Sequence, residues 1–372
     1  MQVNNIPTHL ETWQMVQATQ IFQDPKDKVE GSLERKSLPI PEIKQGEVLI
    51  EISGCGVCGS DIGYFYEGIP TLIAPPITLG HEISGVVIAG DKNWIGTEVI
   101  VPTIIPCGEC DLCKSGRANR CLFQKMPGNN LSIYGGFSSH IVVPSRDLCQ
   151  VPHRGNYSLA QLSVIADAMG TPYQAAKRAN LGPGDRVIII GVTGGCGVYM
   201  AQWSKLMGAE VVIGIGRNQE KLERALDYGC DFVINSKEKS SWDVQKEFSR
   251  YCRKNQVNAR SSWKIFEVSG TKTGQELALN LLRYTGILVV VGYSPENISY
   301  NISRLSAFDA EIIGTWGCLP EYYPVILEEA LSGNIQVAPF VEEKPMSHIQ
   351  ETFTAFYYEG SPMKRVVLVP DF

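Results

Sequence analysis

The chain has 372 residues, 44% hydrophobic and 19% charged. At roughly 150 residues per domain this predicts two domains with full cores and excludes a disordered chain or a small stapled scaffold. Lys and Arg number 33 against 39 Asp and Glu, a net charge of −6, so a small-molecule ligand is expected and a nucleic-acid or membrane partner is not. No apolar run approaches the ~18 residues of a membrane span and no Lys or Arg precedes Lys26, so a secretory signal is not expected and the reading is cytoplasmic.

Apolar Val48, Ile50 and Ile52 alternate with other side chains, and short runs at Val86–Ile88 and Val99–Val101 follow between Gly and Pro, so the first 150 residues read as mostly β. After about Leu181 the texture changes. Arg186–Ile190 is a buried-type strand, Val198–Met207 a helix ended by Gly208, and Glu210–Ile215 a second strand. The alternation continues through Asp231–Ile234, a charged and solvated stretch from Lys237 to Arg260, Trp263–Val268, a helix over Thr273–Leu282 and Ile287–Val291. Beyond Gly314 it loosens, with aromatic-rich segments around Trp316 and Tyr322 and a last strand at Val366–Val369. Strands alternating with helices imply a parallel sheet covered on both faces. The expected architecture is α/β, with a nucleotide-binding domain (172–314) inserted into a β-rich domain built from 1–171 and 315–372.

Eleven cysteines in a reducing compartment read as metal ligands, catalytic groups or buried fillers before disulfides. Cys107, Cys110, Cys113 and Cys121 are spaced so that one lobe, about 102–121, can wrap a tetrahedral zinc. Four thiolates leave no open position, so this ion would be structural; an iron–sulfur site or plainly buried cysteines are the alternatives. Gly56-Val57-Cys58-Gly59-Ser60-Asp61 offers a thiolate, a hydroxyl and a carboxylate, and Gly80-His81-Glu82 an imidazole beside a carboxylate. Alone, either fragment is weak. Cys55 forms a Cys-x-x-Cys pair with Cys58, without the βαβ context a redox dithiol needs.

Strand Val187–Ile190 runs into Gly191-Val192-Thr193-Gly194-Gly195-Cys196-Gly197 and a helix, the arrangement that sets a pyrophosphate on backbone N–H groups. The spacing departs from strict Gly-x-Gly-x-x-Gly, with Val192 or Thr193 in a place usually given to Gly. An NAD site asks for a carboxylate about 20 residues on, for the ribose 2′-hydroxyl. Here Gly216 is followed by Arg217, which leans the chemistry toward NADP or dual use.

Together and in this order, these motifs resemble the zinc-containing medium-chain dehydrogenase/reductase family, the alcohol dehydrogenase superfamily, over nearly the whole chain. The resemblance implies a Rossmann-type parallel-sheet domain inserted into a GroES-like β-rich catalytic domain, two zinc ions per chain, NAD, and a homo-oligomer, dimer or tetramer. It implies a catalytic zinc on Cys58, His81 and a third ligand, with a fourth position open. Asp167, within Ile165-Ala166-Asp167-Ala168-Met169-Gly170-Thr171, matches the branch that uses Asp. Asp61 matches the carboxylate that orients the ligand histidine, and Ser60 the hydroxyl that takes the alcohol proton. Glu82 would share the orienting work or visit the metal. Gly63 stands where many members carry a proton-relaying His, which leaves the outer relay unassigned. Val268 and Val291 match the strand ends lining adenosine and nicotinamide. Arg365, with Lys364, resembles the basic residue that reaches the cofactor phosphates, surface charge being the other reading.

Longer runs at 63–68, 124–129, 134–140 and 308–323 resemble the branch of this family that oxidises the ring hydroxyl of a cyclic acyl-CoA in anaerobic aromatic degradation. An acyl-CoA substrate follows from that resemblance, with Tyr64, Tyr66 and Trp316 as aromatic walls; plain core is their other reading. The carbinol carbon would lie β to the thioester, so hydride delivery to a conjugated cyclic dienoyl-CoA is a conceivable side reaction. Competing readings are a polyol or secondary-alcohol dehydrogenase, a zinc-free reductase, and a nucleotide-binding sensor that has lost catalysis.

Overall fold

The computed structural model describes residues 6–20 and 29–372. The chain divides into two units, Met1–Gly170 with Gly317–Phe372, and Thr171–Trp316. The junctions fall one residue before the expected 171/172 and two residues after the expected 314/315.

The first unit opens with β1 (His9–Gln17), β2 (Ser32–Pro39), β3 (Glu47–Gly56), β4 (Ile77–Thr78), β5 (Glu82–Gly90), β6 (Glu98–Val101), β7 (His140–Pro144) and β8 (Cys149–Gln150). β3 is the central strand, antiparallel to both β5 and β7. Val48, Ile50 and Ile52 all turn into the core, yet Leu49 between them is also fully buried, because a strand flanked on both sides has little solvent-facing surface. The β3–β5 register slips between Leu49 and Ile50 and again between Ile52 and Gly54. Such bulges bend a strand and re-aim the residues beyond them, here toward Cys58.

In the second unit β9 (Arg186–Ile190), β10 (Val211–Gly216), β11 (Phe232–Asn235), β12 (Trp263–Glu267), β13 (Ile287–Val290) and β14 (Glu311–Gly314) form one parallel sheet in the order β11-β10-β9-β12-β13-β14. Helices on both faces bury the inner strands, hence the unbroken apolar run Val187-Ile188-Ile189-Ile190. The order reverses between β9 and β12, and in sheets of this kind a dinucleotide binds outside the carboxyl ends at that reversal. The helix after β9 begins at Gly195, three residues before the expected start, because extended Gly194 acts as its N-cap. The charged stretch forms a helix at Ser241–Lys254 whose stripe Val244, Phe248 and Cys252 is buried; the Phe248 ring meets Trp263 edge-on at 5.0 Å.

The chain then returns to the first unit. β15 (Val341–Pro345) pairs parallel with β16 (Arg365–Val369), which joins β3 through Val367 opposite Gly56 and Leu368 opposite Cys55. Among the described residues no helix is long and apolar enough to cross a membrane.

Candidate active site

Register brings the first two donors together. Gly56, at the end of β3, lies opposite Glu82 at the start of β5, so Cys58 and His81 flank the same corner although 23 positions apart. A Cβ at position 56 would come within 2.1 Å of Glu82 Oε2, so only glycine leaves the carboxylate its place. Cys58 is the extended N-cap of the helix Gly59–Tyr66 and presents its sulfur at the helix start. The third donor follows a short 3-10 helix at Gln161–Ile165. The carbonyl of Ala166 accepts hydrogen bonds from Thr103 Oγ1 (2.9 Å) and Tyr323 Oη (2.8 Å), and Thr103 Oγ1 also donates to the His81 carbonyl (3.1 Å). These two buried hydroxyls hold the backbone beside Asp167 and His81. Sequence reasoning missed both, since nothing local marks them.

One ligand atom from each of Cys58, His81, Glu82 and Asp167 falls within 4.8 Å of all the others. Asp167 Oδ2 lies 3.4 Å from Cys58 Sγ and 3.6 Å from His81 Nε2. Tetrahedral zinc with bonds of about 2.0–2.3 Å places such donors about 3.3–3.8 Å apart, so the set fits the ion. Fully buried Asp61 serves both neighbours: Oδ2 accepts from the Cys58 N–H (2.9 Å), Oδ1 accepts from the Gly80 N–H (3.2 Å), and Oδ1 lies 3.4 Å from His81 Nδ1. Burial opposes a charged imidazole, but the Asp61 charge and the Asp167 contact outweigh it and hold the His81 pKa well above the ordinary range. A thiol and several carboxylates around one imidazole are short of positive charge, which a divalent cation supplies. Ser60 Oγ stands 3.4 Å from His81 Nε2 at the rim of this cluster.

Glu82 is committed elsewhere. Arg365 Nε donates to its Oε2 at 2.8 Å and Nη2 to its Oε1, with both side chains buried. Burial pushes the Glu82 carboxyl up to about 7 against the pull of Arg365. With Glu82 so paired, Cys58, His81 and Asp167 are the donors that could hold an ion while leaving a fourth position open, the pattern of catalytic rather than structural zinc. The Arg365 guanidinium thus neutralises this buried carboxylate, a partner that the sequence did not point to.

The four-cysteine lobe closes on itself. Cys110 Sγ lies 3.5 Å from Cys113 Sγ and 3.7 Å from Cys121 Sγ, and Cys107 Sγ 3.9 Å from Cys113 Sγ. Four sulfurs at about 2.3 Å from a tetrahedral zinc sit about 3.8 Å apart. Backbone N–H groups of Glu109 and Cys110 point at Cys107 Sγ and lower its pKa; those of Cys107 and Phe123 donate to Cys121 Sγ. None of the eleven cysteines forms a disulfide.

In the second unit, Gly191 turns with φ +89 directly after β9, and a Cβ at Gly197 would meet the Gly191 carbonyl at 2.2 Å. The turn therefore needs glycine at both ends, with Thr193, Gly194, Gly195 and Cys196 between them leading into the helix N-terminus. A Cβ at Gly216 would meet Thr193 Cγ2 at 2.6 Å, so Thr193 fills the space a larger residue at the end of β10 would need. The two departures from the glycine-and-acid pattern thus occupy one spot. Val268 and Val291 follow β12 and β13, where their N–H groups donate to the carbonyls of Ile190 (2.9 Å) and Glu267 (3.0 Å). Glu267 is the buried polar group here: its Oε1 accepts from the N–H of Ser269 at 2.8 Å and its carbonyl from that of Gly292 at 3.0 Å.

Residues 44–153 match a family model described as alcohol dehydrogenase GroES-like domain, and residues 195–332 one described as zinc-binding dehydrogenase. An alcohol dehydrogenase of Geobacillus stearothermophilus is 30% identical over 91% of this chain and 96% of its own length. The chain belongs to the zinc-type alcohol dehydrogenase superfamily. A sorbitol dehydrogenase of Bombyx mori is 27% identical, covering 90% of this chain and 94% of its own. The solved acetophenone reductase of Geotrichum candidum, in complex with NAD, is 24% identical with a TM-score of 0.81 over 98% of each chain.

As a zinc-dependent alcohol dehydrogenase, the protein is an oxidoreductase acting on CH–OH groups. Of the expected aromatic walls, Tyr66 belongs to the core: its ring stacks on Tyr357 at 4.4 Å and its hydroxyl lies 3.2 Å from Thr354 Oγ1. Tyr64 is buried too and accepts from Asn129 Nδ2 at 3.0 Å. Burial raises its hydroxyl pKa, and the charges of His81, Asp61 and Cys58 act on it. Trp316, the last residue of the second unit, is 38% exposed.

Proposed function

We propose that this dehydrogenase oxidises a secondary alcohol at a zinc ion held by Cys58, His81 and Asp167, and that a second zinc on Cys107, Cys110, Cys113 and Cys121 is structural. The observation that carries the reading is the convergence of a thiol, an imidazole and a carboxylate with Glu82 withdrawn by Arg365. A zinc ion held there would supply Lewis-acid polarisation of the alcohol oxygen, and a bound nicotinamide would supply the hydride acceptor. The chain's own residues do the rest. Asp61 fixes the His81 ring and the Cys58 backbone, and Ser60 Oγ relays the hydroxyl proton at the rim of the cluster, accepting it from the alcohol while passing its own proton outward to solvent.

The substrate reading is the cyclic acyl-CoA of 6-hydroxycyclohex-1-ene-1-carbonyl-CoA dehydrogenase, on the strength of the runs at 63–68, 124–129, 134–140 and 308–323, with Tyr64 as the aromatic residue at the site. Its product is the 6-oxo ester of anaerobic benzoyl-CoA breakdown; reduction of a cyclic dienoyl-CoA would be a side reaction. A second reading, oxidation of a polyol or free secondary alcohol, is favoured by relatives such as the sorbitol dehydrogenase. Cofactor use is dual: with glycine at 216 no carboxylate repels a 2′-phosphate, and Arg217 follows at once. Cysteines without disulfides fit the cytoplasm, and the edge strand β14 fits a homo-oligomer that pairs through it.

Steady-state assays with the hydroxycyclohexenyl-CoA ester and with sorbitol, each with NAD and NADP, separate these readings. Turnover of the ester with both cofactors is expected. Turnover of sorbitol alone would replace the substrate reading, and turnover with NAD alone would remove the role given to Gly216 and Arg217.

A further inference from the structure

The second unit holds a cavity of about 480 Å³ at the amino ends of β12, β13 and β14, the edge of the sheet opposite the glycine turn. It is lined by Arg260, Arg283 and Arg304, with the rings of Tyr284 and Phe308 and the amide of Gln245. No aspartate or glutamate lines it. Arg283 Nη1 donates to the carbonyls of Asn280 (2.6 Å) and Leu282 (3.1 Å), and Nη2 to Gln245 Oε1 (3.1 Å), all neutral acceptors. The Arg304 guanidinium lies 5.6 Å from the Tyr300 ring centre and 5.2 Å from that of Phe308. Among the described residues none of the three arginines has a carboxylate partner.

Three positive charges, exposed Arg260 beside half-buried Arg283 and Arg304, line one open recess and repel one another, and the neutral acceptors of Arg283 offset its desolvation without offsetting that repulsion. Burial lowers the Arg283 pKa and the Arg304 charge lowers it further, so the two cations act on each other directly. An anion between them removes the conflict. Guanidinium forks match the oxygens of a phosphate, and the volume and the two aromatic faces leave room for an apolar body attached to it.

We propose that this cavity is a binding site for a small phosphate monoester carrying an aromatic or apolar body, separate from the nucleotide-binding turn. The ligand's phosphate meets Arg260, Arg283 and Arg304, and its body lies against Tyr284 and Phe308. The test is calorimetric titration of the zinc-loaded enzyme with phenyl phosphate and with inorganic phosphate, repeated on the double variant Arg260→Gln/Arg304→Gln and on Arg217→Ala. Phenyl phosphate should bind once per chain and more tightly than inorganic phosphate. Its affinity should fall by about tenfold or more in the double variant, the scale of lost charge-assisted hydrogen bonds, and stay unchanged in Arg217→Ala. Alcohol turnover in the double variant should equal that of the parent, which confirms folding. No binding at millimolar phenyl phosphate, affinity unchanged in the double variant, or loss of oligomer in that variant without any ligand binding would each overturn the proposal.

Discussion

Asp61 shows how much of the site rests on single residues: one buried carboxylate holds the Cys58 backbone, the Gly80 backbone and the face of His81. The Glu82–Arg365 pair is the other such case. Removing one member of a buried ion pair strands the other, which typically costs about 3–5 kcal/mol. Arg365→Met should therefore lower unfolding free energy in denaturant titration by about that amount, and adding Glu82→Gln to it should restore part of the loss. A drop no larger than that of a surface substitution would show that the pair is not buried in solution. The four lobe cysteines were legible in the sequence because short spacings mark them, whereas Cys58, His81 and Asp61 stood out only through the family resemblance, each fragment being weak alone. Arg365 was legible as a cation but not as a partner of Glu82, since the two are 283 positions apart and only the pairing of β16 and β5 with β3 joins them. Thr103 and Tyr323 were invisible for the same reason.

At the scale of elements, the four-cysteine lobe has almost no regular structure beyond the short helices Asp111–Lys114 and Ala118–Arg120. Sulfur–metal bonds, in the structural role proposed for this lobe, would replace the missing ladder hydrogen bonds, because a segment this short cannot bury a core of its own. Cys113→Ser should lose one zinc and open residues 107–121 to proteolysis while leaving the sheets intact by circular dichroism; resistance equal to the parent would argue against a structural metal. The strands of the nucleotide unit were readable where they are central and apolar on both faces. β14 was not, because an edge strand with mostly exposed residues carries no buried run. The helix at Gly195 was read late because glycine at a helix start looks like loop until the turn that needs it is known.

For the molecule as a whole, an inserted domain was legible from the change in texture near Leu181 and its loosening beyond Gly314, while the junctions themselves carry no local signal. The candidate metal ligands all lie in one unit and the glycine turn in the other. In calorimetry of the intact enzyme, a zinc chelator should lower the unfolding of the unit built from both chain ends, and NADP should raise that of the inserted unit, since a ligand stabilises what it binds. Chelation that leaves the thermogram untouched would contradict the placement of both ions.

Zinc content measured on the parent and on Asp167→Ala reaches the central claim most directly. Two zinc ions per chain are predicted for the parent; the variant should keep one, retain its fold and lose alcohol oxidation. Two ions and full turnover in Asp167→Ala would contradict the account.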